Sequence, residues 1–232
     1  MFVANYTLKS IVQKAAMVAR LPLAYSSDHP YAGLKKRAHE ETLDFITQSM
    51  PDALSFDIPR ELMRYALGRA SINGIYAEFG VNQGGTINYI AKKKPGCTVH
   101  GFDSFEGLPE DWAGNSMFAG YFDHKGAMPK VASNVVLHKG WFDATAPKFA
   151  AGHAGPLAFL HVDCDLYSST ATIFEALGDR IVPGTVIVFD EYFNYPNWQA
   201  HEHKAFRAFA AASGKAFKYI GYSVQQVAVI AL

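Results

Sequence analysis

Two apolar runs in this chain each end in acids. Residues 156–162 (PLAFLHV) are followed by Asp163, Cys164 and Asp165, and residues 184–189 (GTVIVF) by Asp190 and Glu191. Short continuous apolar runs of this kind read as strands buried on both faces, as in a parallel sheet, which confines the chain to an α/β fold. Open α/β sheets bind their ligands at the carboxyl ends of the strands. Four acids from two strands therefore face one crevice. Carboxylates gathered there are costly unless something cationic offsets them. The pattern points to a hard metal ion, a general base, or both.

The rest of the chain supports that fold. From Gly74 onward the sequence alternates strand and helix. Strands are expected at 75–79, 98–102, 135–138, 157–162 and 186–189, and helices at 85–93, 168–177 and 199–212. Residues 216–220 and 226–231 read as a closing antiparallel pair with Gly221 at its turn. This predicts a Rossmann-like, doubly wound α/β sheet with helices on both faces. Ahead of it the pattern is helical. One helix is expected over 34–50, with Leu34, Ala38, Leu43, Phe45 and Ile46 as its apolar positions. Another is opened by Pro59 and runs through Leu62, Met63, Ala66 and Leu67, with Asp57 as a candidate cap. The chain thus divides into an N-terminal helical extension on the acceptor side, 1–73, and a sheet domain, 74–232. Residues 103–133 form a long connection rich in Gly, Pro, Asp and aromatics, and loops of that length are usually functional or mobile.

Composition excludes several classes. The 232 residues carry 21 basic and 21 acidic side chains, with no basic stripe of the kind that binds nucleic acid. No apolar run reaches the roughly 20 residues needed to span a bilayer. The two cysteines, Cys97 and Cys164, form no Cys-x-x-Cys pair, as expected of a reduced, cytoplasmic protein. The first 27 residues lack acids but hold Lys9, Lys14 and Arg20. Without Ser/Arg enrichment or a clear cleavage site, this segment reads less as a transit peptide than as an amphipathic helix docked on the body or on the second subunit of a homodimer.

The first strand runs into a turn containing Glu78, Gly80, Gly84, Gly85 and Thr86. Glycine at a strand end permits a sharp turn and close approach of a ligand, and the following helix N-terminus favours an anionic group. The spacing is Glu-x-Gly-x-x-x-Gly, which departs from the dinucleotide fingerprint and argues against a pyrophosphate seat. Asp103 ends the second strand, where an acid can accept both ribose hydroxyls of a nucleoside. Gly140 and Trp141 end the third, where a flat aromatic could cover an adenine face. Asp165 could also serve as a helix N-cap. Tyr192, Tyr195 and Trp198, with Tyr167, are candidate walls for an acceptor pocket. His201 and His203 flank Glu202, either as an alternative base or as a solvated helical turn.

These residues resemble the class I S-adenosylmethionine-dependent methyltransferases in order and spacing. Residues 102–109 (FDSFEGLP) and 162–170 (VDCDLYSST) are similar to the macrocin O-methyltransferase family, which includes sugar methyltransferases of the novobiocin pathway, over about residues 74–232. The resemblance implies a seven-stranded sheet with one antiparallel strand near its edge, S-adenosylmethionine, a Mg²⁺ (or Mn²⁺) ion and a small-molecule acceptor with a sugar hydroxyl. Taken with the strand-end reading, the cofactor is expected on Glu78, Gly80, Gly84, Gly85, Thr86, Asp103, Ser104, Phe105, Gly140, Trp141 and Asp163. The resemblance assigns the metal to Asp163, Asp190 and Glu191, and the base to Asp165. Glu191 stands where that family commonly has Asp, and the family's usual motif ahead of the sheet is missing.

The chemistry is coherent without the resemblance. An alcohol is a poor nucleophile at neutral pH, and a divalent cation together with a carboxylate can activate it. Attack on a sulfonium methyl is then dominated by positioning. A nicotinamide-dependent oxidoreductase and a non-catalytic nucleoside-binding assembly protein are the competing readings.

Overall fold

The computed structural model describes residues 29–232, so the basic first 27 residues and the expectations attached to them lie outside the described residues. The strands are β1 (Leu54–Ser55), β2 (Ile75–Phe79), β3 (Val99–Asp103), β4 (Val135–Lys139), β5 (Leu157–Val162), β6 (Val186–Phe189), β7 (Phe217–Tyr222) and β8 (Val227–Ala231). They form one sheet in the order β1-β7-β8-β6-β5-β2-β3-β4. β8 runs antiparallel to both β6 and β7, and the other pairings are parallel. Chain order reverses between β2 and β5, and crevices form at such switch points.

The sheet has eight strands where seven were expected. The additional one is β1, which adds to β7 through Leu54↔Gly221 and Ser55↔Tyr222. It is two residues long and exposed, so no apolar run marks it. Gly221 does not make the closing turn. It lies within β7, where a Cβ would come 2.9 Å from Leu62 and Phe56 side-chain atoms, and the chain turns instead after Tyr222.

Helices cover both faces. Helix α1 is Pro30–Ser49, α2 Pro59–Arg69, α3 Gly85–Lys93, α4 Phe142–Gly152, α5 Tyr167–Leu177 and α6 Glu202–Ser213. One face carries α2 and α3, whose Leu62, Met63, Ala66, Ile87 and Ile90 meet Phe159, Val186 and Val188. The other carries α4, α5 and α6, whose Phe149, Ile173, Phe174 and Phe206 meet Leu160, Val162, Ile187 and Phe189. Pro59 opens α2 at its first turn, but Ile58, not Asp57, is the capping residue and makes no side-chain cap. Helix α1 packs through Ala38, Thr42, Phe45 and Ile46, a stripe at helical spacing. Leu34 and Leu43, expected on the apolar face, are exposed. No described helix is long and apolar enough to cross a membrane.

Candidate active site

A cavity of about 540 Å³ opens at the carboxyl ends of the parallel strands. Its lining includes Gly80, Asn82, Asp103, Ser104 and Trp141 at one end. Leu108, Trp112, Met117 and Phe122 from the 103–133 connection, with Cys164, Asp165 and Glu191, line it further along. Asp163 and Gly80 lie side by side on neighbouring strands. Gly80 has φ +93°, and a Cβ there would fall 1.6 Å from the Asp163 carbonyl oxygen, so the position excludes any side chain.

Asp103 organises the glycine turn. Its Oδ2 accepts the amides of Val81 (2.8 Å) and Asn82 (2.7 Å), and its Oδ1 accepts that of Phe105 (2.7 Å). Each carboxylate oxygen has more than one lone-pair site, so the group can still accept a ligand hydroxyl from the cavity it lines. Trp141 is 39% exposed and presents its ring at the same end. Glu78, Gly84, Gly85, Thr86, Phe105 and Gly140 do not line the cavity. Gly84 caps α3 in the left-handed conformation (φ 79°), and Phe105 is buried against the α2–α3 face.

Glu78 lies beneath the cavity in a buried polar row. His161, its direct partner in the β2–β5 register, approaches it with Nδ1 3.3 Å from Oε2. The other ring nitrogen lies 3.6 Å from Asp190 Oδ1, an ion-pair distance rather than a hydrogen bond. Gln226 donates to the same Asp190 oxygen. Burial alone would lower the His161 pKa, but the carboxylates of Asp190 and Glu78 hold it well above the ordinary imidazole value. Burial would raise Asp190, and His161 reverses this, so Asp190 is held below the usual carboxylate range. His161 is thus held toward its charged form within the acid cluster. It was passed over in the sequence because it sits inside an apolar run.

His161 also draws Asp163 down, though burial and the other acids outweigh it. One oxygen each of Asp163, Asp165 and Glu191 lie within 4.8 Å of one another, as do ligand atoms of His161, Asp163 and Asp190. Asp163 belongs to both groups. Among the described residues no Lys or Arg pairs with any of these acids, and Glu191 Oε2 is buried without a hydrogen-bond partner. Asp165 adopts φ 67°, a left-handed conformation that non-glycine residues rarely take. Burial pushes its pKa up to about 7, partly offset by contact with Glu191. Burial and the surrounding acids also hold Asp163 and Glu191 well above the ordinary carboxylate values. Three mutually repelling carboxylates with an orphaned oxygen fit a hard divalent cation, which takes oxygen ligands. The geometry places Asp165 beside Asp163 and Glu191, and Asp190 beside His161.

Glu202 escaped the sequence reading, where it was only the residue between two histidines. It is fully buried at the start of α6, and burial, then the neighbouring Asp165, push its pKa up to about 8.

The aromatic residues named as acceptor walls lie elsewhere. Tyr192, Tyr195 and Trp198 are buried in the core under α1 and α6, and none lines the cavity. Tyr167 lies outside the cavity with Lys204 over its ring. The apolar wall comes from Leu108, Trp112, Met117 and Phe122. Three hydrogen bonds hold that stretch down. The Ala113 carbonyl accepts from His201 Nε2 (2.9 Å) and Asn197 Nδ2 (3.1 Å), and Ser168 Oγ donates to Glu110 (2.6 Å). His201 therefore holds the loop and does not line the cavity.

Residues 77–192, half of the chain, match the family described as methyltransferase domain. A relative from Streptomyces olivaceus, 8-demethyl-8-(2,3-dimethoxy-alpha-L-rhamnosyl)-tetracenomycin-C 4'-O-methyltransferase, is 31% identical over 143 residues. That match covers 52% of this chain and 54% of the relative, so it spans about half of each. Among solved structures, the calicheamicin methyltransferase CalS11 aligns over 89% of this chain and 94% of its own, with TM-score 0.59 and 20% identity. The O-methyltransferase NovP aligns over 73% and 78%, with TM-score 0.55 and 23% identity. These two share the fold. With the family match over β2 to β6 and the glycine turn, ribose-type acid and acid cluster where that fold binds its ligands, this chain belongs to the class I S-adenosylmethionine-dependent methyltransferases.

Proposed function

We propose that this chain transfers a methyl group from S-adenosylmethionine to a hydroxyl of a sugar or glycosylated small molecule, assisted by Mg²⁺. The observation that carries this reading is the meeting of a nucleoside-type seat and the three carboxylates of Asp163, Asp165 and Glu191 in one cavity. The relatives' names support the substrate class: one acts on a rhamnosyl tetracenomycin, and CalS11 is described as a TDP-rhamnose 3'-O-methyltransferase.

In this reading Asp103 accepts the ribose hydroxyls and Trp141 covers the adenine. The cofactor would supply an electrophilic sulfonium methyl. Asp163 and Glu191, with Asp190, would hold Mg²⁺, which when bound would supply Lewis-acid polarisation of the acceptor hydroxyl. Asp165, whose pKa lies near neutrality, takes the hydroxyl proton as the new C–O bond forms and the methyl–sulfur bond breaks, leaving S-adenosylhomocysteine. The apolar residues of the overlying loop exclude water from the reacting pair.

The test is methyl transfer from labelled cofactor to a panel of rhamnosylated and nucleotide-linked sugars, with and without Mg²⁺. Labelled sugar ethers that require Mg²⁺ are expected. Cofactor binding without turnover on any sugar would favour the non-catalytic reading, and full turnover in EDTA would remove the metal from the mechanism.

A further inference from the structure

We infer that Glu202 is a positioning residue that clamps the two acid-bearing loops together, so that the metal-holding Asp163 and Glu191 and the base Asp165 converge. Its Oε1 accepts the backbone amides of Cys164 (3.3 Å) and Asp165 (3.2 Å), and its Oε2 accepts that of Glu191 (3.2 Å). One buried side chain thus ties the end of β5 to the end of β6. Asp163, Asp165 and Glu191 come from those two separate ends, so their mutual distances depend on this tie.

The chemistry of the choice argues for function. The chain places an acidic side chain, fully buried, beside Asp165 and Glu191. Burying another carboxylate there is the costly solution if stability alone is served. A carboxyl group has two oxygens that can accept and can hold both loops at once; an amide has one. The clamp further explains how Asp165 keeps its left-handed backbone, because its own amide is held by Glu202. Released, the turn would relax toward negative φ and carry the Asp165 carboxylate away from its neighbours.

The inference rests on the metal reading above, and the experiment separates the two. Glu202→Gln leaves one acceptor oxygen, so one loop loses its anchor and meets an amide donor instead. Three quantities are measured on the full chain: Mn²⁺ affinity by electron paramagnetic resonance, S-adenosylhomocysteine affinity by calorimetry, and amide exchange at residues 164, 165 and 191. The variant should bind Mn²⁺ about tenfold to a hundredfold more weakly, the scale for losing a residue that orients metal ligands. Cofactor affinity should be unchanged and the three amides should exchange faster. Unchanged Mn²⁺ affinity, or a matching loss of cofactor affinity, overturns the positioning role. Wild-type protein that takes up no Mn²⁺ overturns the metal reading and the clamp's part in it. If Glu202→Gln fails to fold, Glu202→Asp, which keeps both oxygens on a shorter stem, is read by the same measurements and the same outcomes.

Discussion

The imidazole of His161 stands 3.3 Å from the Glu78 carboxylate, with both side chains wholly buried between adjacent strands. Its far nitrogen faces Asp190. A cation in this place offsets part of the charge that the strand-end acids concentrate, and it links the glycine-turn strand to the end of β6.

Replacing His161 with leucine should therefore leave two carboxylates without their partner. Removing one member of a buried ion pair costs about 3–5 kcal/mol. Urea denaturation of metal-free His161→Leu should show a loss on that scale. A loss below about 1 kcal/mol, no more than an exposed pair contributes, would mean that the histidine carries no charge in the folded protein.

The raised acids set the pH dependence of stability. Asp165 and Glu202 hold protons up to about pH 7 and about pH 8 when folded, against ordinary values of 3.8 and 4.5. Their contribution favours the folded state fully below those ordinary values and is lost as pH rises through 7 and 8. His161, also raised, acts in the same direction, whereas the contribution of Asp190, which is lowered, is lost only in acid. The melting temperature of the metal-free protein should fall between pH 5 and pH 8.5, and Asp165→Asn should flatten that slope. A melting temperature that climbs over this range would refute the assignment of protons to the cluster.

Asp103→Ala should weaken S-adenosylhomocysteine binding by about tenfold or more, since hydrogen bonds to a charged group are each worth about 1.5–3 kcal/mol. Three backbone amides lose their acceptor at the same time, so the glycine turn should also loosen. Calorimetry gives the affinity, and an undiminished value would confine Asp103 to organising the turn.

Asp165→Asn and Asp190→Asn should fail differently. The first should keep cofactor and metal but lose turnover by about a hundredfold, the scale for removing a general base. Higher pH should restore part of it and excess Mg²⁺ none. The second should lose activity through metal affinity, so that raising Mg²⁺ recovers it in part. Steady-state rates across a Mg²⁺ series distinguish the two, and a fully active Asp165→Asn would shift the base role to another group.

Much of this was legible in the sequence because the central strands are continuous apolar runs that end in chemistry-bearing residues. What escaped was set by tertiary contact. β1 has only two residues and owes its existence to the β7 edge beside it. Gly221 reads as a turn, but its missing side chain makes room for Leu62 and Phe56. Tyr192 and Trp198 are large, flat and close to the acids in sequence, yet α1 buries them, and composition cannot tell a core wall from a pocket wall. Glu202 touches Cys164 across 38 residues, and no local pattern announces such a contact.

The cavity draws its two ends from different kinds of structure. The nucleoside end is fixed to the sheet at Gly80 and Asp103, while most of the apolar wall opposite belongs to one stretch, residues 107–122, suspended between β3 and β4. That stretch is pinned at Glu110 and Ala113 by side chains outside it. In the proposed reaction it behaves as a cassette: a transplant from a relative that preserved those two pins would change which molecule is modified while leaving the methyl donor's seat and the acids untouched.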